Sequence, residues 1–443
     1  MKKLTFLSIM ALLFLFLPYI PFFFFEVNAQ SDYPVHNLDS GKNYATIQEA
    51  INDPETLNGH TIFVEEGIYR EHIVVNKAVK LVGENRNLTI IDGNRTGIVI
   101  KVVANNVVIK EFTVRNGTSG IYLQNSNNSI IINNNVIFNV DAVLVRYSGN
   151  CTIHQNFVSS NNNRGILVTN SWNFTVSSNH VYNSGWYGLN ANSSLNGLIT
   201  QNNVVQNYFD GIGLFNSSMC KVTGNNVTKN TLFGVTVDSL SENNLIYHNN
   251  IISNGIQATN YLLTNQWDNG VEGNYWSNYF GNDSDRNGIG DTQYNVNEDT
   301  ADHYPLMGMF YSFDAPLGLP IAVISNSTLT NFQYLAFNST IKIQVTNKSQ
   351  TQQFGFCRIA IPKNLIAPPY TILIDNGATQ ILYLNETVHE NATYNWLYFA
   401  YPHSTHDIVI APEFSSLIIL STLMICALFA SIINKRKQRM RKL

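Results

Sequence analysis

The chain has 443 residues, 44% hydrophobic and 12% aromatic, enough apolar side chains for more than one packed domain and far from a disordered polymer. Charged residues make up 13%, about half the usual share, and the formal net charge of −4 hides an asymmetry. With Lys2, Lys3, Glu26 and the closing bases Lys435, Arg436, Lys437, Arg439, Arg441 and Lys442 set aside, residues 30–434 carry 18 bases against 29 acids, or −11, without a basic run; nucleic acid is excluded as the expected partner.

Residues 1–29 read as a secretory signal: Lys2 and Lys3, the apolar run Leu4 to Leu17, and Val27-Asn28-Ala29 as a small-residue cleavage site. The apolar stretch continues through Phe22–Phe25, so an uncleaved anchor stays open as the alternative. Residues 30–96 are expected to form an N-terminal cap and the first coils of a solenoid. Within Tyr44-Ala45-Thr46-Ile47-Gln48-Glu49-Ala50-Ile51, Thr46 and Glu49 make a capping box and Ile47, Ala50 and Ile51 share one face, which predicts a short helix over the open end. Strand-like runs succeed it at 61–64, 67–71, 79–84 and 90–93.

A period then takes over. Gly97-Ile98, Gly120-Ile121, Ala142-Val143, Gly165-Ile166, Gly188-Leu189, Gly211-Ile212 and Gly234-Val235 recur at steps of 22 or 23 residues, the mark of stacked supersecondary units. Another apolar residue stands three places after each small one (Ile100, Leu123, Val145, Val168, Ala191, Leu214, Val237), which is strand alternation. A second apolar pair sits at +11 and +16, as in Ile131/Val136 and Val176/Val181. Position +14 is asparagine five times running (Asn134, Asn156, Asn179, Asn202, Asn225), which suits an amide ladder between layers and a left-handed turn residue. These features predict an all-β fold for 97–266, a parallel β-helix whose coils rise about 4.8 Å each and share one core. Leucine-rich repeats are rejected because they carry many more leucines per unit. Cys151 and Cys220 both fall at +9, three coils or roughly 14 Å apart, too far for a disulfide, and read as small core residues.

Residues 267–311 close the repeat with Trp267-Asp268-Asn269-Gly270, Glu272-Gly273-Asn274-Tyr275-Trp276, Gly288-Ile289-Gly290-Asp291 and Tyr304-Pro305-Leu306. Entry, repeat and exit together, over 40–308, resemble right-handed β-helix proteins of the NosD and CASH (carbohydrate-binding and sugar hydrolase) type. The resemblance implies the right-handed coil. It leaves function broad, because the family spans copper-enzyme maturation factors, polysaccharide lyases, epimerases and surface proteins of unassigned activity. No Cys-Met-His cluster suited to copper is legible, and His154, His180 and His248 fall in three different columns of the repeat.

Residues 312–411 read as a small β-sandwich, with alternating runs at 341–345, 359–361, 371–374 and 408–410. Gly355-Phe356-Cys357-Arg358 and Tyr401-Pro402-His403-Ser404-Thr405-His406 resemble a module found behind such solenoids in archaeal surface proteins, a spacer above a membrane. In 412–443, Phe414 to Ile433 is a 20-residue stretch without charge, and the six bases after it place that end in the cytoplasm. A single C-terminal transmembrane helix, with everything before it outside the cell, is the expectation. Pro412-Glu413-Phe414, the apolar span and the bases also resemble the PEF-type sorting signals of archaeal surface proteins, which a sortase removes; a permanent anchor stays open beside it. The exterior part carries fifteen Asn-x-Ser/Thr sequons: Asn87, Asn94, Asn116, Asn127, Asn150, Asn173, Asn192, Asn216, Asn226, Asn282, Asn326, Asn338, Asn347, Asn385 and Asn391.

Two constellations could carry function. In Asp283-Ser284-Asp285-Arg286-Asn287-Gly288-Ile289-Gly290-Asp291, oxygens at loop positions 1, 3, 5 and 9, Gly at 6 and the Ile289 carbonyl match an EF-hand-type calcium loop. The twelfth position is Tyr294 where a bidentate Glu belongs, with Asp299 or Asp302 as substitutes; structural calcium is favoured, with a solvated acidic turn as the alternative. The ion would be structural, pinning the solenoid's C-terminal end. The second constellation is one edge of the solenoid. Asp141, Arg164, Tyr187, Asp210 and Phe233 precede the repeat's small residues, with Trp186, Phe209 and Tyr208 beside them. Stacking makes this a strip of aromatics, two acids and one base, which suits sugar binding; ordinary aromatic stacking at a turn, with Asp141 and Arg164 paired, is the competing reading. Asp141 and Asp210 stand roughly 14 Å apart, beyond glycosidase carboxylate spacings. Residues 97–254 hold only 12 charged side chains in 158, so no catalytic residue is assigned and binding of glycans or envelope components is favoured over a lyase, epimerase or hydrolase.

Overall fold

The computed structural model describes residues 32–347 and 352–413. The expected signal (1–29) and the apolar span with its basic tail (414–443) lie outside the described residues. Among the described residues, no helix is long and apolar enough to cross a membrane.

Three parallel sheets wind into one solenoid. Each coil gives one short strand to each sheet, and successive coils pair in register: Ile166 with Leu189 with Ile212 with Val235 in the third sheet, Ile153 with Val176 with Ile199 in the first, Val158 with Val181 with Val204 in the second. The third sheet is nine strands long, so the solenoid has about nine turns. Alternation explains the core. In the central coils the apolar residues at +1, +3, +11 and +16 point inward and are fully buried, as in Ile121, Leu123, Ile131 and Val136. The repeat glycines stand in a row because a Cβ on Gly165 would sit 2.4 Å from the Gly188 carbonyl of the next coil.

The turns are held by ladders. Asn179 Oδ1 accepts from the backbone N–H of Asn156 (2.9 Å) and from its amide (3.0 Å), and Asn179 donates in turn to Asn202. This ladder continues through Asn225, Asn249 and Asn274 and ends on Asp302, which accepts from the Asn274 N–H at 2.7 Å and from Trp276 Nε1 at 2.8 Å. Burial pushes the Asp302 carboxyl up to about 7 against these donors. The left-handed residue is not the ladder asparagine, as the sequence suggested, but the one before it: Asn133, Gln155, Ser178 and Gln201 have φ of 54–56°. The asparagine itself has no positive φ, and its buried amide reaches inward to carbonyls of the previous coil, as Asn179 does to Ile153 O. Two further ladders guard the other turns, a serine one (Ser126, Ser148, Ser171, Ser194, Ser217, Ser241) and an asparagine one that runs from Asn139 to Asn161 and resumes through Asn207, Asn230 and Asn254; between the two pieces Ser184 joins only by its backbone N–H, which donates to Asn207, while its buried Oγ has no partner. Cys151, Cys220 and Cys357 are free and buried.

At the N-terminal end, Ile47–Asn52 forms a six-residue helix with both capping-box bonds; Glu71 also accepts from the N–H groups of Ile47 and Gln48 at 3.0 Å. Its Ile47, Ala50 and Ile51 join the solenoid core. After the solenoid, a five-stranded and a four-stranded antiparallel sheet enclose a second core, the first strand being Met309–Phe313. The junction is tight. Ile289, Leu306, Phe310, Ile324, Phe356 and Tyr398 form an apolar cluster, and Arg358 reaches from the second unit to Glu272 at 2.7 Å with both side chains buried.

Candidate functional site

The column before the repeat's small residues is a true vertical stack. Ala142 N donates to Arg164 O, Gly165 N to Tyr187 O, Gly188 N to Asp210 O and Gly211 N to Phe233 O, at 2.9–3.0 Å. Side chains sort within it. Arg164 lies 3.7 Å from Asp141 and places its guanidinium 5.5 Å from the Trp186 ring. Trp186 and Tyr187 stack at 5.0 Å, and Phe209 meets both edge-on at 6.1 and 5.3 Å. Tyr208 stands away in solvent, 71% exposed. Phe233 contributes through its backbone N–H, which donates to Asp210 Oδ1 at 3.3 Å.

Asp210 is the centre of the strip. It is 1% exposed, and Thr236 Oγ1 donates to its second oxygen at 2.8 Å. Burial pushes its carboxyl up to about 6, against those two hydrogen bonds. Asp141 does not share that environment, being held by Arg164 and by the Asn163 amide at 2.9 Å. Sequence reasoning missed four neighbours. Asn190, Gly213 and Thr236 succeed one another on the outer face of the third sheet, and Phe215 folds across Gly213 to within 5.4 Å of Tyr187. The outward column at +2 changes from Leu144 and Leu167 to Asn190, Gly213 and Thr236; that switch was the available signal.

The acidic loop also converges. Oxygens of Asp283, Asp285 and Asp291 lie within 4.8 Å of one another. Asp283 accepts from the N–H groups of Asn287 and Gly288 at 2.8 and 2.9 Å, and Asn287 Oδ1 accepts from Ile289 N at 2.7 Å. Ile289 itself is buried in the junction cluster, so the loop is fixed to both units. A cleft of about 480 Å³ nearby in the chain, lined by Trp267, Asp268, Glu298, Asp299 and His303 among others, was not foreseen.

A family model described as "Periplasmic copper-binding protein (NosD)" matches residues 30–281, more than half of the chain. The chain belongs to the NosD family. A cell surface glycoprotein of Methanothermus fervidus is 39% identical over 103 residues, which is 22% of this NosD-family chain and only 17% of that relative's length. Some solved structures are similar at a distance. ORF18 of Geobacillus virus E2 is 13% identical, with 71% of this chain and 70% of that one covered and a TM-score of 0.38. The A-module of the Azotobacter vinelandii mannuronan C-5 epimerase AlgE4 is 15% identical, with 52% and 88% covered and a TM-score of 0.35. Neither transfers a site or an activity.

Copper, which the family description names, does not fit the described residues of this NosD-family chain. Their one grouping of three or more His, Cys, Asp or Glu side chains close enough to share an ion is the aspartate trio, a hard-oxygen set unlike the nitrogen and sulfur ligands copper prefers. The three described cysteines are dispersed in the cores, and burial pushes the thiols of Cys220 and Cys357 up to about 11. No step is derived through copper.

Proposed function

We propose that this protein is an exported, glycosylated surface protein whose solenoid binds glycans along the strip centred on Asp210. One observation carries the reading: Trp186, Tyr187 and Phe209 form a continuous aromatic wall beside a buried, hydrogen-bonded carboxylate. Sugar rings pack their C–H faces on aromatic rings while acids take their hydroxyls. The surface setting is supported by the family's periplasmic description, the short match to a surface glycoprotein, the leader at 1–29 and the apolar span at 414–433. The span anchors the chain, the sandwich holds the solenoid above the membrane, and the helix Ile47–Asn52 closes its open end. Exposed sequons such as Asn173 and Asn338, whose side-chain amides donate to no protein group, are the sites that carry glycan. Asn326 is not: its amide donates to Phe354 O and accepts from Phe356 N, both at 3.0 Å. Calcium sits among Asp283, Asp285 and Asp291, with Asn287 and the Ile289 carbonyl completing the site, and pins the junction rather than reacting.

The experiment is a glycan array followed by calorimetry on the full chain, in calcium and in chelator. Trp186→Ala is expected to weaken the best glycan about tenfold, near 1.4 kcal/mol, and chelator is expected to lower the melting temperature. Unchanged affinity would dispose of the strip, and a calcium-independent melt would dispose of the metal. A second reading rests on the burial of Asp210, which pushes its carboxyl up to about 6, towards the range in which a general acid works. Release of reducing or unsaturated sugar ends, abolished in Asp210→Asn, would make the protein an enzyme.

A further inference from the structure

The outer face of the third sheet holds a polar group that the fold does not satisfy. Asn190 is 4% exposed, and its Oδ1 has no hydrogen-bond partner. Such buried acceptors are rare in folded proteins and ask for a cause. One coil on, Gly213 leaves the sheet bare, and the Phe215 ring lies on that bare surface: a Cβ added to Gly213 would meet Phe215 Cε2 at 2.4 Å. Phe215 is half-buried, and its ring contact on this face is Tyr187 at 5.4 Å, edge-on. One coil further, Thr236 donates to Asp210. Each Asp210 oxygen accepts one protein hydrogen bond and has a lone pair left over.

We propose that Phe215 is a movable cover, and that beneath it Gly213, Asn190 Oδ1 and the Asp210 carboxyl form a subsite for one neutral sugar residue whose hydroxyls donate to Asn190 and Asp210. The proposal rests on the glycan-binding reading and narrows it. Glycine supplies the floor because any side chain there would fill the space the ring vacates. Asn190 and Thr236 are two coils apart, about 10 Å, so one ring fits between them. The subsite offers acceptors to the ligand, and hydroxyls are the donors a neutral sugar brings. It offers a carboxylate no partner: Arg164 is turned to Asp141 and to the Trp186 face. A uronate placed beside Asp210 would meet like charge. The closed cover lowers apparent affinity by the fraction of molecules that are open.

The test is calorimetry on the full chain with neutral gluco-, manno- and galacto-hexaoses and with an oligogalacturonate of the same length. The expected result is binding of a neutral hexaose and at least tenfold weaker binding of the uronate. Phe215→Ala should tighten the neutral ligand several-fold, and Asn190→Ala should weaken it about tenfold. If Asn190→Ala does not fold, Phe215→Ala and the neutral-over-uronate preference still decide the matter. A neutral ligand that weakens in Trp186→Ala yet stays within twofold in both Phe215→Ala and Asn190→Ala overturns the subsite and leaves the strip standing. Preference for the uronate overturns it as well. Absence of binding to every one of these sugars removes the subsite and the glycan-binding reading together.

Discussion

Burial pushes the Asp210 carboxyl out of its ordinary range, because the coil that carries it turns the carboxyl away from water, where only Thr236 and the Phe233 N–H bond it. That has a stability consequence with a definite sign. The folded pKa, about 6, lies above the unfolded one, about 3.9. The folded chain therefore holds a proton that the unfolded chain has lost. Its contribution is fully present below pH 4 and disappears as pH rises through 6. Asparagine fits the same place, since Oδ1 can keep the Phe233 N–H and the amide can donate to Thr236. Asp210→Asn is expected to melt about 3 °C above wild type at pH 8 and level with it at pH 4, read by thermal melts across pH. A constant difference at both would show that the carboxyl is ionised in the folded state throughout. Asp302 adds a slope of the same sign up to about pH 7, so only the difference between the two proteins isolates Asp210. At this scale the sequence showed the residues that the period indexes. Asp210 and Tyr187 share a column with Arg164 and could be placed by counting. Asn190 and Phe215 could not, because an unmet oxygen and a ring lying on a glycine depend on where side chains turn.

Among the ladders, uniformity decided what could be read. Position +14 repeats one residue type and announces itself, whereas the column at +19 is broken by Ser184 and the one at +6 is serine, a common turn residue. The ladder's energetics lie in its cross-links. Asn202 Oδ1 takes two hydrogen bonds from Asn179, and its amide gives two, to Val176 O and to Asn225. Removing it strands buried donors and acceptors, each costing about 1–3 kcal/mol. Asn202→Ala is expected to destabilise by on the order of 3 kcal/mol in urea unfolding, while Asn162→Ala, at an exposed turn position without a positive φ, is expected to change little. Equal effects would mean that the rungs add no more than surface amides do.

The two units behave as one body only if their junction holds, and neither partner of its central bond belongs to a repeat. Glu272 and Arg358 are 86 positions apart, one in the solenoid's exit and one in a sandwich strand, so no period or spacing could pair them. Burial alone would raise the Glu272 carboxyl; the hydrogen bond from His248 and the Arg358 charge override it and hold it down at about 2. His248 is steadied by stacking on Phe310 at 4.0 Å, and Arg358 also donates to the Asn287 carbonyl at 2.8 Å, which ties the acidic loop into the same weld. Because the folded pKa of Glu272 is depressed, its contribution is present above about pH 4.5 and is lost as pH falls towards 2. Removing Arg358 strands a buried charge, which costs about 3–5 kcal/mol, whereas replacing both partners with apolar groups of like volume is close to neutral. Arg358→Met is therefore expected to lower stability by that amount and to split calorimetric unfolding into separate solenoid and sandwich transitions. Glu272→Leu combined with Arg358→Met is expected to restore most of the loss, because the apolar cluster of Ile289, Leu306, Phe310 and Phe356 then closes over a dry junction. A single variant that still unfolds in one wild-type transition would show that this cluster alone joins the units and that the ion pair is incidental to their coupling.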